Sequence, residues 1–253
     1  MSKNFLYIFF FPLILLSQKD LKYYEEYMPT TTCEKEEIIN YEHYSVSFCE
    51  EFGLSEWSIY LTNTERLLGD VPRTNKFRVD PNLSGRGADN SFYKYNIYDR
   101  GHLVPAADMK FSKQAMSESF LFTNVVPQLP RFNRGIWHKL EKELRKFTYE
   151  KSDQFGDILV ITGWNINNYN DSILVNSPTE LYWPVPDFFY KVYIDVQNKR
   201  SIAFLINQKD SEYKELHSYT VPIHYLEEQT GLDFFYKLPE HIEMKLELDT
   251  GNK

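Results

Sequence analysis

A surplus of positive charge is missing from this chain: 28 Lys and Arg stand against 36 Asp and Glu, a formal net charge of -8 at pH 7. That balance speaks against a protein that coats a polyanion. It leaves room for an enzyme that grips one locally and lets go, because a polyanion responds to the field of the site. Glycine is scarce, 10 in 253 residues, and the chain carries no internal repeat and no low-complexity tract. Repeat arrays are thereby excluded and an ordinary globular composition remains. Cysteine is limited to Cys33 and Cys49, at a spacing that suits no familiar metal motif. An even count permits a disulfide in an exported protein, and two free thiols fit the sequence equally well. Beyond residues 5–16 there is no long apolar run, and that one is too short to span a bilayer comfortably. With Lys3 ahead of it and Ser17-Gln18-Lys19-Asp20 behind, it has the form of a signal-peptide core, although no Ala-x-Ala pattern marks a cleavage site. Residues 1–17 are read as a signal peptide and the mature chain as exported, secreted or periplasmic, with no membrane span of its own. An uncleaved N-terminal anchor is the alternative.

What the chain does have is aromatic side chains, 17% of the total with 19 Tyr and 19 Phe. They favour strands and bury large apolar areas, so sheet and core are their first assignment. Residues 18–40 read as a polar lead-in. Tyr44, Val46 and Phe48 share one face of a strand, and Trp57, Ile59 and Leu61 share one face of the next. Residues 64–98 are loop-like, punctuated by Pro72, Pro81, Gly85 and Gly87. A strand is expected over 119–126 and a helix over 133–149, where Ile136, Leu140, Leu144 and Phe147 make an apolar stripe. Strands follow at 158–162, stopped by Gly163, and at 188–196 and 201–207, a hairpin pair across residues 197–200. A short helix over 222–229 ends near Gly231. This mixed order implies one α+β domain with an antiparallel or mixed sheet, spanning 41–240 ahead of a tail at 241–253.

Chemistry concentrates in two stretches. In Asp99-Arg100-Gly101-His102, the histidine can accept a proton near neutral pH and the arginine can stabilise charge on a phosphate. Gly101 allows a tight bend and close approach to a ligand. Further on, Asn133, Trp137, Glu141 and Arg145 recur every four residues, one helical turn apart. This row sets an amide, a carboxylate and a guanidinium beside the apolar stripe, with Trp137 a core residue. An amide oxygen from Asn133 suits Mg²⁺, which keeps most of its waters, and Glu141 can hold one of those waters. Mn²⁺ suits the same oxygen ligands. The plainer reading of Glu141 and Arg145 is a surface i,i+4 pair. Arg131, Arg134, Lys139, Lys142, Arg145 and Lys146 would supply a local positive field along this helix.

These stretches resemble the DNA/RNA non-specific endonuclease family. The likeness rests on Asp-Arg-Gly-His at 99–102, Thr123-Asn124-x-x-Pro127-Gln128, and Asn133-x-x-x-Trp137-x-x-Leu140-Glu141. Residues 73–80 and 231–235 extend it over about residues 41–240. The resemblance implies the ββα-metal fold and a metal-dependent enzyme that cuts DNA and RNA endonucleolytically with little sequence preference, leaving 5′-phosphates. It assigns His102 as general base, Asn133 as direct metal ligand and Glu141 as holder of a water on the metal. Arg100 and Arg145 would meet phosphate, Asp99 would orient its neighbours, Asn124 would support the site and join Arg145 and Arg73 in binding substrate, and Arg73 matches an upstream phosphate-binding arginine more loosely. Asp108 is read as a turn or cap residue, not a second ligand. The rival from another class is a nucleic-acid-binding protein that kept the scaffold without catalysis; activity on plasmid separates the two. The oligomeric state is not legible in the sequence.

Overall fold

The computed structural model describes residues 25–83, 87, 89, 90, 93, 97–152, 154, 156–165, 172–175, 181–210 and 212–249. The signal peptide read at residues 1–17 lies outside the described residues. In chain order the elements begin with β1 (Glu36–Asn40), β2 (Tyr44–Cys49), β3 (Leu54–Thr62), α1 (Thr64–Leu67), β4 (Asp99–His102), α2 (Lys113–Glu118) and β5 (Val125–Gln128). They continue with α3 (His138–Glu150), β6 (Ile158–Asn165), β7 (Ser172–Val175), β8 (Leu181–Pro184), β9 (Phe188–Asp195), β10 (Arg200–Asn207), β11 (Thr220–Val221), α4 (Ile223–Thr230) and α5 (Glu240–Glu247). Seven strands form one sheet in the order β1-β2-β3-β6-β9-β10-β11, antiparallel throughout.

The two-residue period of a strand divides the apolar side chains between two cores. Tyr44, Val46, Phe48, Val160, Phe189, Tyr193, Phe204 and Ile206 face one way, under Ile136, Trp137, Leu140 and Leu144 of the α3 segment. Trp57, Ile59, Leu61, Leu159, Ile161, Tyr190, Val192, Ile194 and Ala203 face the other, under Ile223 and Leu226 of α4, Leu246 of α5, and Tyr27, Met28, Phe234 and Phe235. The sheet is thus covered on both faces by helices, an α+β architecture with three layers. The β9–β10 hairpin turns at Asp195, whose carboxylate accepts the main-chain N–H groups of Gln197 and Asn198 at 3.1 and 3.0 Å. Helix α4 starts after Pro222 and ends at Gly231, which takes the left-handed conformation at φ 72°. No helix among the described residues is long and apolar enough to cross a membrane.

Four sequence expectations are corrected here. No strand occupies 119–126: α2 caps at Ser119, a 3-10 turn spans Phe122–Asn124, and β5 starts only at Val125. Every residue from 119 to 128 is buried, so alternation there carries no information about faces. β6 does not stop at Gly163; it runs to Asn165, and a Cβ at 163 would lie 2.2 Å from the Tyr190 hydroxyl of the paired strand. Glycine is there to admit a ring, not to break the strand. The apolar stripe of α3 ends before Phe147, which is 43% exposed, while Thr148 is buried in its place. The lead-in and the tail contribute structure: β1 pairs with β2, and α5 lies mostly within 241–253. Cys33 and Cys49 form a disulfide, which ties the lead-in to β2.

Candidate active site

β4 and β5 form a separate antiparallel ribbon, with Asp99 opposite Gln128 and His102 opposite Val125. Strand alternation puts Arg100 and His102 on one side of β4 and Asp99 on the other. After β5, Pro130 opens a helical turn, and residues Asn133–Trp137 wind more loosely before α3 begins at His138. Gly135 breaks helical geometry within this stretch, at φ -103° and ψ -108°. The expected single helix from 133 is therefore two pieces. Trp137, Glu141 and Arg145 keep the one-turn spacing, while Asn133 is presented from the preceding turn.

These elements enclose a cavity of about 380 Å³ that Arg73, Arg100, His102, Asn133, Glu141 and Arg145 line together. All six were singled out from sequence, and the fold gathers them. Asp99 stands behind: its carboxylate accepts Asn133 Nδ2 at 2.9 Å and is clamped by Arg134 through Nε at 2.8 Å and Nη2 at 2.6 Å. Fixing the amide's nitrogen on Asp99 leaves its oxygen as the end available to a cation. The imidazole of His102 is left with Nε2 buried and without a hydrogen-bond partner among the described residues. Burial first, then the charges of Arg73 and Arg100, push the ring's pKa down to about 3, against a hydrogen bond with the Arg100 main chain that favours the charged form. The ring is neutral at physiological pH, the form that accepts a proton.

Glu141 and Arg145 are not a surface pair. Their side chains are 13% and 18% exposed, 4.0 Å apart. Arg145 Nη1 also donates to Asp108 Oδ1 at 2.8 Å, and Tyr60 donates to Asp108 Oδ2 at 2.6 Å. Asp108 sits in the turn read from sequence, its N–H donating to Pro105 O at 2.9 Å, and its side chain is also a buried anchor for Arg145. Burial pushes the Glu141 carboxyl up, and the charge of Lys191 is the strongest influence holding it down. Lys191, 1% exposed on β9, suffers the mirror effect: burial pushes it down, and Glu141 and Asp108 pull it back. Its ammonium lies 5.1 Å from the centre of the Trp137 ring and hydrogen-bonds Thr162.

Two expectations change in role. Asn124 is fully buried. Its oxygen accepts Val104 N at 2.8 Å, and its nitrogen donates to Val104 O at 3.0 Å and Ser119 O at 2.9 Å. It stitches the chain after β4 to the end of α2 and makes no contact with the cavity, so it is a support and not a substrate-binding group. Gly101 sits where a Cβ would lie 2.3 Å from the Gln128 side chain; the close approach it allows is to Gln128, not to a ligand. The basic residues along α3 are also mostly neutralised, Arg134 by Asp99, Lys139 by Glu215, Arg145 by Asp108 and Lys146 by Glu150.

Sequence reading missed Lys191 and His138, the latter on the cavity wall. A lysine in the middle of Phe-Phe-Tyr-Lys-Val-Tyr-Ile was the available signal for the first, since an apolar strand rarely buries an unpaired cation. For His138, the position three residues before Glu141 was the signal.

Residues 25–241 match the family model described as DNA/RNA non-specific endonuclease. The chain is similar to "Nuclease EXOG, mitochondrial" of Mus musculus, 28% identical over 216 residues that cover 80% of this chain and 58% of that protein. It therefore spans less than two thirds of that relative's length. It is 26% identical over 222 residues to "Nuclease" of Nostoc sp., covering 83% of this chain and 77% of that one. Among solved structures, that titled "Crystal structure of the EndoG/EndoGI complex: Mechanism of EndoG inhibition" shares the fold at a TM-score of 0.70 and 22% identity, over 85% of this chain and 91% of the other.

Proposed function

Since the chain belongs to the DNA/RNA non-specific endonuclease family, we propose that it is a metal-dependent phosphodiesterase that cuts DNA and RNA internally with little sequence preference. The observation that carries this reading is His102, a neutral ring with its Nε2 unpartnered among the described residues, in a cavity that also presents Asn133, Glu141 and four arginines.

The donor set fits a hard divalent cation such as Mg²⁺ or Mn²⁺. The Asn133 amide is held by Asp99 through its nitrogen, which frees the oxygen, and Glu141 lines the same cavity. When bound, the cation would offset negative charge gathering on the phosphate. The chain's own groups supply the rest. His102 takes a proton at Nε2 from a water whose oxygen attacks phosphorus in line, and the bond from phosphorus to the 3′ oxygen breaks as that oxygen takes a proton from solvent. This leaves the phosphate on the 5′ side. Arg100 and Arg145 hold the non-bridging oxygens, and Arg73 extends the positive wall. Because this reading assigns these groups to phosphate and water, binding should follow salt concentration more than sequence. Export of the mature chain belongs to the same proposal, and the Cys33–Cys49 disulfide fits an oxidising compartment.

The test uses purified residues 18–253 with supercoiled plasmid and total RNA, in Mg²⁺ and in EDTA, beside His102→Ala. Loss of both substrates in Mg²⁺ alone, and by the unsubstituted protein alone, is the expected result. Intact substrates under every condition, from protein shown to be folded, overturn the catalytic reading in favour of a binding scaffold. Cutting that survives His102→Ala keeps the nuclease and discards the base.

A further inference from the structure

Four arginines line the cavity, and they are held in two different ways. Arg134 and Arg145 are paired with carboxylates, Asp99 and Asp108. Arg73 and Arg100 have no carboxylate within ion-pair distance among the described residues; their hydrogen-bond partners are the neutral amides Asn75, at 2.7 Å, and Asn90, at 3.1 Å. Each of these two lies instead over an aromatic ring. The guanidinium carbon of Arg100 is 4.4 Å from the centre of Phe77, and that of Arg73 is 4.9 Å from the centre of Phe120. The two rings meet edge to face, 4.9 Å apart at 79°. His102 touches both, 5.4 Å from Phe77 and 5.1 Å from Phe120, almost perpendicular to the latter at 88°.

We propose that Phe77 and Phe120 are positioning residues: a crossed pair of rings seats Arg100, Arg73 and His102 as one unit without cancelling the arginines' charge. A carboxylate would orient a guanidinium equally well, but it would neutralise the group that must meet phosphate. A ring face attracts the cation through its quadrupole and adds no negative charge. This is how a chain with a net charge of -8 keeps two guanidiniums beside its base that make no ion pair among the described residues. The seat itself is fixed from behind. Phe120 is fully buried, and the loop that carries Phe77 is tied down by Asp80, whose carboxylate accepts Thr123 at 2.9 Å and Tyr41.

The proposal rests on the nuclease reading, so its test is made in protein that cuts plasmid. Phe77→Leu keeps an apolar filler and removes the ring face. We expect kcat/KM on plasmid to fall about tenfold, but only about twofold when Arg100→Ala is already present, a non-additivity that reads the coupling between the two side chains. Phe77→Tyr restores the ring and most of the rate. Phenylalanines carrying increasing numbers of fluorines at position 77 keep the shape while draining the ring face of electron density. They should lower kcat/KM step by step even if the leucine variant fails to fold. Additive losses in the cycle, or a fluorinated series with unchanged kcat/KM, overturn the proposal. An unsubstituted chain inert on plasmid and RNA would defeat the nuclease reading instead, and the two failures are thereby distinct.

Discussion

The two faces of the sheet are built to opposite rules. Behind it, the core under α4 and α5 is aliphatic and aromatic, with Trp57, Ile59, Leu159, Ile161, Val192, Ile194, Phe234 and Phe235 all at 0% exposure. In front, the core under α3 also buries Asp108, Lys191 and most of Glu141 and Arg145. Burying charge lowers stability, whereas apolar burial raises it. The rear face therefore carries the fold so that the front face can hold chemistry, and substitutions on the two faces should separate activity from stability.

The largest effect is expected at the base. His102→Ala should lower kcat on plasmid by about 10²–10⁴-fold while the protein still melts cooperatively. The same residue sharpens the contrast through pH. Its folded pKa of about 3 lies below the unfolded value of 6.5, so its contribution to stability is fully present above pH 6.5 and is lost as pH falls toward 3. The melting temperature of the unsubstituted protein should fall more steeply over that window than that of His102→Ala. On the rear face, Ile161→Ala should cost about 2–5 kcal/mol in denaturant unfolding and leave kcat of the folded fraction unchanged; a matching loss of kcat would break the division between faces. Replacing both Cys33 and Cys49 by Ser should cost about 3 kcal/mol for a bridge across 16 residues, again without a change in kcat. The smallest effect is at Glu227, whose carboxyl burial raises to about 7. A raised acid pKa favours the protonated folded state, an advantage complete below the unfolded value of 4.5 and lost as pH rises through 7. Glu227→Gln should thus melt higher than the unsubstituted protein at pH 8 and equal it below pH 4.5.

The chemistry of the front face was more legible in the sequence than its mechanics. That His102, Asn133 and Glu141 share one cavity could be read because their residue types and spacing follow a motif. The β9–β10 hairpin and the end of α4 at Gly231 could be read because turns and caps are local. Asp108 and Lys191 could not be placed, since their partners, Tyr60, Arg145 and Trp137, come from other elements and only the assembled sheet brings them near. Gly101 and Gly163 were misread for the same reason. Each was taken as local punctuation, yet each is a glycine because a side chain on the neighbouring strand, Gln128 or Tyr190, fills its space. The strand expected at 119–126 failed because total burial erases periodicity.

The strand order β1-β2-β3-β6-β9-β10-β11 has a consequence for synthesis. Every strand of the main sheet joins the edge left by its predecessor in the chain, so the sheet can be laid down in the order in which the ribosome delivers it. The ribbon that carries His102 emerges early, but Lys191 arrives only with β9. The contacts of Thr30 with Asp233 and of Ser201 with Leu246 and Asp249 close only after every strand of the main sheet has been delivered. Late, long-range contacts of this kind slow the final folding step, and the charge of Lys191 reaches Glu141 only once β9 has joined the sheet.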